Sequence, residues 1–281
     1  MRTAPNLVVR AGPRAREILR EEGLNPERIK VLAGASGGPK WLVLSGMDLV
    51  LARLLKTRRS EILGIGSSIG SWRLAALAQK ESENAVLTFE DHYIRQAYDG
   101  RPTAREVTSA SRAIQDAYIS RNAVAHMISH PFMGLAFLAV RSRWPGASDG
   151  RLPQTVHLLG AYAANSINRS WLRFFFERTL FHTISSAREI LGNDPFPPTA
   201  VRLTENNFRD AVLASGSIPL VMEGIRDIPG APSGSYVDGG LIDYHVYVPL
   251  TVGVFELVFM PLVLDLITPG CLDKKRWWRQ A

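Results

Sequence analysis

Two serines of this chain stand in the pattern that a serine hydrolase uses for its nucleophile. Gly-x-Ser-x-Gly occurs at Gly34–Gly38 and again at Gly66–Gly70, centred on Ser36 and Ser68. In this pattern the small flanking residues allow a sharp turn between a strand and a helix, and the turn presents the serine hydroxyl for attack on a carbonyl carbon. A single site has one nucleophile, so one of the two motifs needs another explanation.

The first motif has features of an oxyanion hole. Gly37 and Gly38 stand in front of a helical pattern, with Pro39 at a plausible first helical position. Free N–H groups at a helix N-terminus bind anions, and each donor to an oxyanion lowers the activation free energy by about 3–4 kcal/mol. We therefore assign the attack to Ser68 and the oxyanion hole to the first motif, with Ser36 as the alternative nucleophile.

Four motifs in order resemble those of the patatin-like phospholipases. The chain has SGGPKW from Ser36, GSSIG from Gly66, ASGSIPL from Ala214 and DGG from Asp238. These are similar to the family's glycine-rich oxyanion loop, nucleophile elbow, Ala-Ser-x-x-x-Pro signature and Asp-Gly-Gly turn. Ser36 and Trp41 replace the first and last glycines of the family's loop pattern.

The resemblance implies a lipid acyl hydrolase with a two-residue catalytic dyad. Ser68 would attack the ester and Asp238 would act as its general base, with no histidine between them. Backbone N–H groups of Gly37, Gly38 and Ile69 would hold the oxyanion. The supporting residues would be a cation beside the loop and the glycines of the elbow and of the aspartate turn: Lys40, Gly66, Gly70, Gly239 and Gly240. Such an enzyme requires no metal and no organic cofactor.

Other functions fit parts of the same sequence. A Ser-His-Asp esterase could use His245, which follows Asp238 and Asp243. A phosphate-binding loop is less well matched, because Pro39 and Trp41 stand where a glycine and a magnesium-binding hydroxyl belong. A non-catalytic lipid-binding protein could keep the fold without hydrolysis. The remaining histidines lack metal-ligand spacing and are expected in core or surface roles: His92, His126, His130, His157 and His182.

The elements around the motifs alternate between strands and helices. RIKVLAG and EILGIGS are short apolar runs typical of buried strands, and each precedes a glycine turn and a helical pattern. Two such units in succession predict an α/β fold with a central, mainly parallel sheet. The resemblance implies the three-layer α/β/α form of that fold.

We predict a single domain over residues 1–281. Its parts are a helix at residues 13–24, a core of about residues 28–87 and 199–268, and a helical insertion at about residues 88–190. The apolar stretch Val246–Ile267 is interrupted by prolines and acidic residues, so we expect one or two buried strands there instead of a membrane span.

Composition favours a globular protein with a basic surface. The 281 residues are 46% hydrophobic, which is enough for a sizeable core, and the single cysteine, Cys271, excludes an internal disulfide framework. We expect no secretory signal and a cytoplasmic protein that can contact a membrane peripherally. The net charge of +7 suits an anionic lipid surface, and the basic, tryptophan-containing segment Asp273–Gln280 could lie at one. The expected partner is a lipid or other acyl-ester substrate, and no nucleic acid is expected.

Overall fold

An eight-stranded sheet with helices packed against it forms the centre of the protein. The computed structural model describes residues 7–143, 146–148, 150–185, 187, 196–246, 250, 256–264 and 266–279. The helices are α1 (Pro13–Glu22), α2 (Ser45–Thr57), α3 (Ile69–Leu77), α4 (Ser82–Ile94), α5 (Ala104–Tyr118), α6 (Arg121–Ile128), α7 (Arg151–Ile167) and α8 (Phe208–Ser215). The strands are β1 (Ile29–Gly34), β2 (Ile62–Ser67), β3 (Met133–Ser142), β4 (Phe176–His182), β5 (Thr199–Arg202), β6 (Ile225–Arg226), β7 (Ser235–Asp238) and β8 (Leu257–Phe259).

The sheet is mostly parallel, which confirms the predicted α/β class. Its strand order is β5-β4-β3-β2-β1-β8, and β8, β1, β2 and β3 run parallel to one another. β4 is antiparallel to β3, while β5 is parallel to β4. The short strand β7 pairs antiparallel with both β3 and β6.

Two strands share one edge of β3, and their carboxyl ends meet there. β2 pairs with the first half of β3, with Ser67 opposite Leu138. β7 pairs with the second half, with Asp238 opposite Ala139. Because β2 is parallel and β7 antiparallel to β3, the two strands approach each other head to head. The residues that follow β2 and end β7 therefore lie side by side.

Apolar side chains cover both faces of the sheet. One face packs against α1–α6 and α8, where the rings of Trp41 and Phe89 stack with centroids 4.4 Å apart. The other face packs against α7 and the segments after β4 and β7. This arrangement of helices and sheet is compatible with a three-layer α/β/α fold.

The prediction of a helical insertion at residues 88–190 was wrong in two places. β3 and β4 lie inside this interval, and β3 is a central strand of the sheet. Leu135 to Leu138 are completely buried, so both faces of β3 are apolar and the sequence shows no alternation of polar and apolar residues. A short continuous apolar run of this kind cannot be told from a buried helix by periodicity.

The predictions of a helix near the start of the sequence and of a strand in the late apolar stretch agree with the structure. The predicted helix at residues 13–24 is observed as α1. Within the apolar stretch Val246–Ile267, β8 is a strand, and residues 247–249, 251–255 and 265 lie outside the described residues. No helix in the described part of the chain combines the length and the apolar character needed to cross a bilayer.

Candidate active site

Ser68 occupies a strained turn between β2 and α3. Its backbone has φ 55° and ψ −131°, a conformation that residues other than glycine rarely adopt. Strain of this kind is typical of a nucleophile elbow, where the turn carries the hydroxyl out of the strand. The Ser68 side chain is buried.

The elbow glycines are required by close backbone approach. A Cβ atom on Gly70 would lie 2.0 Å from the carbonyl oxygen of Gly34, at the end of β1. A Cβ atom on Gly66 would lie 2.7 Å from the backbone nitrogen of Ser71. The first turn of α3 can therefore pack against β1 and β2 only without side chains at these two positions.

Asp238 is hydrogen-bonded to Ser68 across the meeting point of β2 and β7. The Ser68 hydroxyl donates to Asp238 Oδ2 at 2.6 Å, and the N–H of Gly240 donates to Oδ1 at 2.6 Å. A Cβ atom on Gly239 would lie 2.2 Å from the Leu138 carbonyl oxygen, so the turn after Asp238 also depends on glycine. Ser68 and Asp238, the two residues of the predicted dyad, are brought together.

Burial makes Asp238 a stronger base than an ordinary carboxylate. Loss of solvent raises the pKa of Asp238 from 3.8 to about 6, and the hydrogen bonds from Ser68 and Gly240 oppose this rise. Above pH 6 the carboxylate is ionised and can accept the proton of the hydroxyl bonded to it.

Gly37 and Ile69 line one small cavity beside the elbow. Gly37 precedes a 3₁₀ helix at Gly38–Leu44, and Ile69 is the first residue of α3. The first N–H groups of a helix have no acceptor within it, so both segments offer donors here. Ser36 and Arg73 complete this side of the cavity. An anion in this cavity would lie beside Gly37 and Ile69, and the roles of these two residues as oxyanion donors stay predictions.

Gly38 and Lys40 do not line this cavity. Gly38 has φ 54°, a left-handed backbone conformation that favours glycine at this position. Lys40 is exposed on the 3₁₀ helix. The roles of Gly38 as an oxyanion donor and of Lys40 as a supporting cation remain predictions.

Ser36, the alternative nucleophile, serves to join the two motifs. Its hydroxyl lies 3.3 Å from both the carbonyl oxygen and the hydroxyl of Ser67, either of which can accept its proton, and its N–H donates to the Tyr244 carbonyl at 2.7 Å. The hydrogen bond to Asp238 is made by Ser68. The geometry therefore favours Ser68 as the nucleophile.

His245 and Asp243, which the alternative triad would use, make hydrogen bonds to groups other than Ser68. His245 is fully buried, and its Nδ1 accepts the Thr268 N–H at 2.8 Å. Its Nε2 has no hydrogen-bond partner among the described residues. Burial lowers the pKa of His245 to about 4. Asp243 accepts two hydrogen bonds, at 2.8 and 2.6 Å, from the buried guanidinium of Arg178. The contacts do not support a Ser-His-Asp triad.

Ser215 is a positioning residue that was not predicted from the sequence. Its hydroxyl accepts the Ser68 N–H at 2.9 Å and donates to the Leu138 carbonyl oxygen at 2.6 Å. The Ser71 hydroxyl lies 2.8 Å away and supplies the second donor. All the hydrogen-bonding capacity of Ser215 is therefore used to tie the elbow to β3. The sequence did contain an indication of this residue, because Ser215 is the first serine of ASGSIPL.

We expect Ser215→Ala to lower kcat by about tenfold to a hundredfold, because the elbow loses a contact that aims the hydroxyl. The free energy of unfolding should fall by about 1–3 kcal/mol, since the Leu138 carbonyl is left unpaired. Ser217→Ala is the matched control, because Ser217 is equally buried but donates to the Leu213 carbonyl in the last turn of α8 instead of contacting the elbow. Equal kcat values for the two folded variants would contradict a positioning role.

Comparison with known proteins identifies no relative, since no family model, no curated protein and no solved structure matches the chain.

Proposed function

We propose that this protein is a lipid acyl hydrolase of the patatin-like type, which cleaves carboxylic esters through an acyl-enzyme on Ser68. The observation that carries the proposal is the 2.6 Å hydrogen bond from the Ser68 hydroxyl to Asp238 at a strained strand-to-helix turn. A hydroxyl bonded to a buried carboxylate, beside free backbone donors, has the parts of an acyl-transfer site.

Acylation begins when Ser68 Oγ attacks the ester carbonyl carbon. Asp238 accepts the hydroxyl proton as the new C–O bond forms, and the carbonyl oxygen becomes an oxyanion. The N–H groups of Gly37 and Ile69 stabilise that charge. Collapse of the intermediate expels the alcohol, which takes the proton from Asp238, and leaves the acyl group on Ser68.

Water then releases the acyl group. Asp238 accepts a proton from the water as its oxygen attacks the acyl-enzyme, and the same N–H groups hold the second oxyanion. When this intermediate collapses, the proton passes to Ser68 Oγ and a carboxylic acid departs. The carboxylate thus acts as base and then as acid in each half of the cycle.

Labelling by a fluorophosphonate probe tests the proposal directly. The probe forms an Oγ–P bond with an activated serine as fluoride leaves, and peptide mass spectrometry locates the adduct. We expect labelling on the Ser68 peptide, its loss in Asp238→Asn, and its retention in His245→Asn. The last variant is the control, because asparagine keeps an acceptor for the Thr268 N–H.

The rate of labelling should rise with pH and level off above about pH 6, the pKa of Asp238, because only the ionised carboxylate accepts the serine proton. Labelling on Ser36 would reverse the assignment of the two motifs, and loss of labelling in a folded His245→Asn would favour the triad. A folded wild-type protein that is not labelled would point to a lipid- or nucleotide-binding role without catalysis.

A further inference from the structure

Helix α7 exposes an apolar stripe to solvent. The outward-facing residues recur every three or four positions and are Leu152, Val156, Leu159, Ala163 and Ile167. The four larger side chains among them are between 56% and 75% exposed. The opposite side of the helix packs against the protein through His157, Ala161 and Asn165. Large apolar side chains that recur along one exposed face of a helix form a contiguous apolar patch, and such a patch indicates an interaction surface.

Aromatic side chains extend the stripe at its carboxyl end. Trp171 and Phe174, in the 3₁₀ helix that follows α7, are 39% and 61% exposed. The guanidinium of Arg276 lies 4.5 Å from the centre of the Tyr162 ring and fixes the segment at residues 271–279 beside α7. Trp278 in that segment is 61% exposed. We call the stripe, together with Trp171, Phe174 and Trp278, the α7 surface.

The exposed charges around the α7 surface are mostly positive. Residues 151–176 contain three arginines and no acidic residue, and residues 274–281 contain two lysines, two arginines and no acidic residue. Asp273, between the two basic segments, is buried and ion-paired with Arg169, Arg276 and Arg279. The exposed cations are Arg151, Arg173, Lys274 and Lys275. Apolar and aromatic side chains bordered by cations are what a protein presents to the headgroup region of an anionic bilayer. A second copy of the chain would bring the same cations face to face, which disfavours pairing of this surface with itself.

Both ends of α7 are tied to segments that flank Asp238. Near its beginning, Gln154 accepts the Leu220 N–H at 3.2 Å, and the same loop accepts the Asp238 N–H at 2.9 Å through the Ser217 carbonyl. After its end, Arg169 donates at 2.7 Å to a backbone carbonyl in the segment that follows the Asp-Gly-Gly turn. The helix that carries the stripe is therefore connected by hydrogen bonds to the segments before and after Asp238.

We propose that the α7 surface docks the protein on an anionic lipid bilayer, with the apolar stripe inserted among the headgroups and the exposed flanking cations close to the lipid charges. This inference rests on the proposed function, because docking would serve a lipid hydrolase. It deepens that function by naming the surface that meets the lipid. The docking contacts themselves do not require Ser68 to be a nucleophile.

Binding to vesicles tests the inference in a Ser68→Ala background, which prevents turnover during the measurement. The probes are vesicles of phosphatidylcholine alone and of an equimolar mixture with phosphatidylserine. We expect sedimentation with the mixed vesicles, weaker sedimentation with the neutral ones, and a decline as salt is raised. Leu159→Asp should lower the partition coefficient by about tenfold or more, because it removes an inserted side chain and adds a charge.

Leu87→Asp is the matched control for Leu159→Asp. Leu87 is 51% exposed on α4, so the same substitution is made on another helix at comparable exposure. Both variants should stay folded by circular dichroism. Equal partitioning of the two variants would overturn the inference. So would a wild-type dimer that Leu159→Asp converts to a monomer without loss of vesicle binding, since the stripe would then be covered by a second copy.

A soluble, monomeric ester separates this inference from the proposed function. Hydrolysis of that ester by the Ser68-containing protein with no vesicle binding would overturn docking and leave the dyad standing. Vesicle binding that is lost in Leu159→Asp, in a protein that cleaves no ester, would support the docking surface and count against the proposed function.

Discussion

Replacing Asp238 with asparagine is expected to lower ester turnover by about 10²- to 10⁴-fold, the range for loss of a general base. The amide has nearly the shape of the carboxylate, and its oxygen can still accept the Gly240 N–H that Asp238 Oδ1 accepts at 2.6 Å. It cannot take the proton of Ser68. Because the contacts of the turn are kept, the loss should fall on kcat and leave the fold intact.

The same substitution is expected to raise the stability of the protein at neutral pH. The pKa of Asp238 is about 6 in the folded protein and 3.8 without burial, so ionisation opposes folding. Since one pKa unit corresponds to about 1.36 kcal/mol, the ionised group lowers the free energy of unfolding by about 3 kcal/mol. This penalty is full above pH 6, shrinks as the pH falls towards 3.8, and is absent below that value.

Urea denaturation of the wild type and Asp238→Asn at pH 8 and pH 4 measures this effect. We expect the variant to be more stable by about 1–3 kcal/mol at the higher pH, with a much smaller difference at the lower pH. Asp99→Asn is the control, because Asp99 is exposed and its charge is not buried on folding. An Asp238→Asn protein that is inactive and also less stable at pH 8 would contradict the assignment of a desolvated base.

Replacing Gly70 with alanine is expected to lower the free energy of unfolding by about 4 kcal/mol or more, an exceptional value for one methyl group. The added Cβ would lie 2.0 Å from the carbonyl oxygen and 2.2 Å from the carbonyl carbon of Gly34. Both atoms belong to the backbone of β1, so the clash can be relieved only by moving α3 away from the sheet. Movement of α3 also carries Ser68 away from Asp238.

Gly46→Ala provides the matched control for Gly70→Ala. Gly46 and Gly70 each occupy the second position of a helix, α2 and α3 respectively. A Cβ atom on Gly46 meets nothing within 4 Å, so alanine there should stabilise the protein slightly through helix propensity. Urea denaturation and fluorophosphonate labelling of both variants check the prediction. If both denature at the urea concentration of the wild type, close packing at the elbow is not required.

The sequence allowed several parts of the fold to be predicted because the signals were local. The strand, glycine turn and helix around Gly34 and again around Gly66 each lie within a short stretch, and both units are observed. Their parallel pairing follows from the helical crossover between them. In contrast, the strands β3 and β4 were missed, since burial on both faces removes the alternation that identifies a strand.

What the sequence by itself determined is the set of chemical groups: an elbow serine, a glycine loop before it and an aspartate turn far after it. The tertiary structure alone decided that Ser68 and Asp238, 170 residues apart, share a hydrogen bond, and that His245 is turned to other partners. The physical reason is that β2 and β7 end at the same point on one edge of β3. Strand pairing across such sequence distances depends on the packing of the whole sheet, and no local pattern records it.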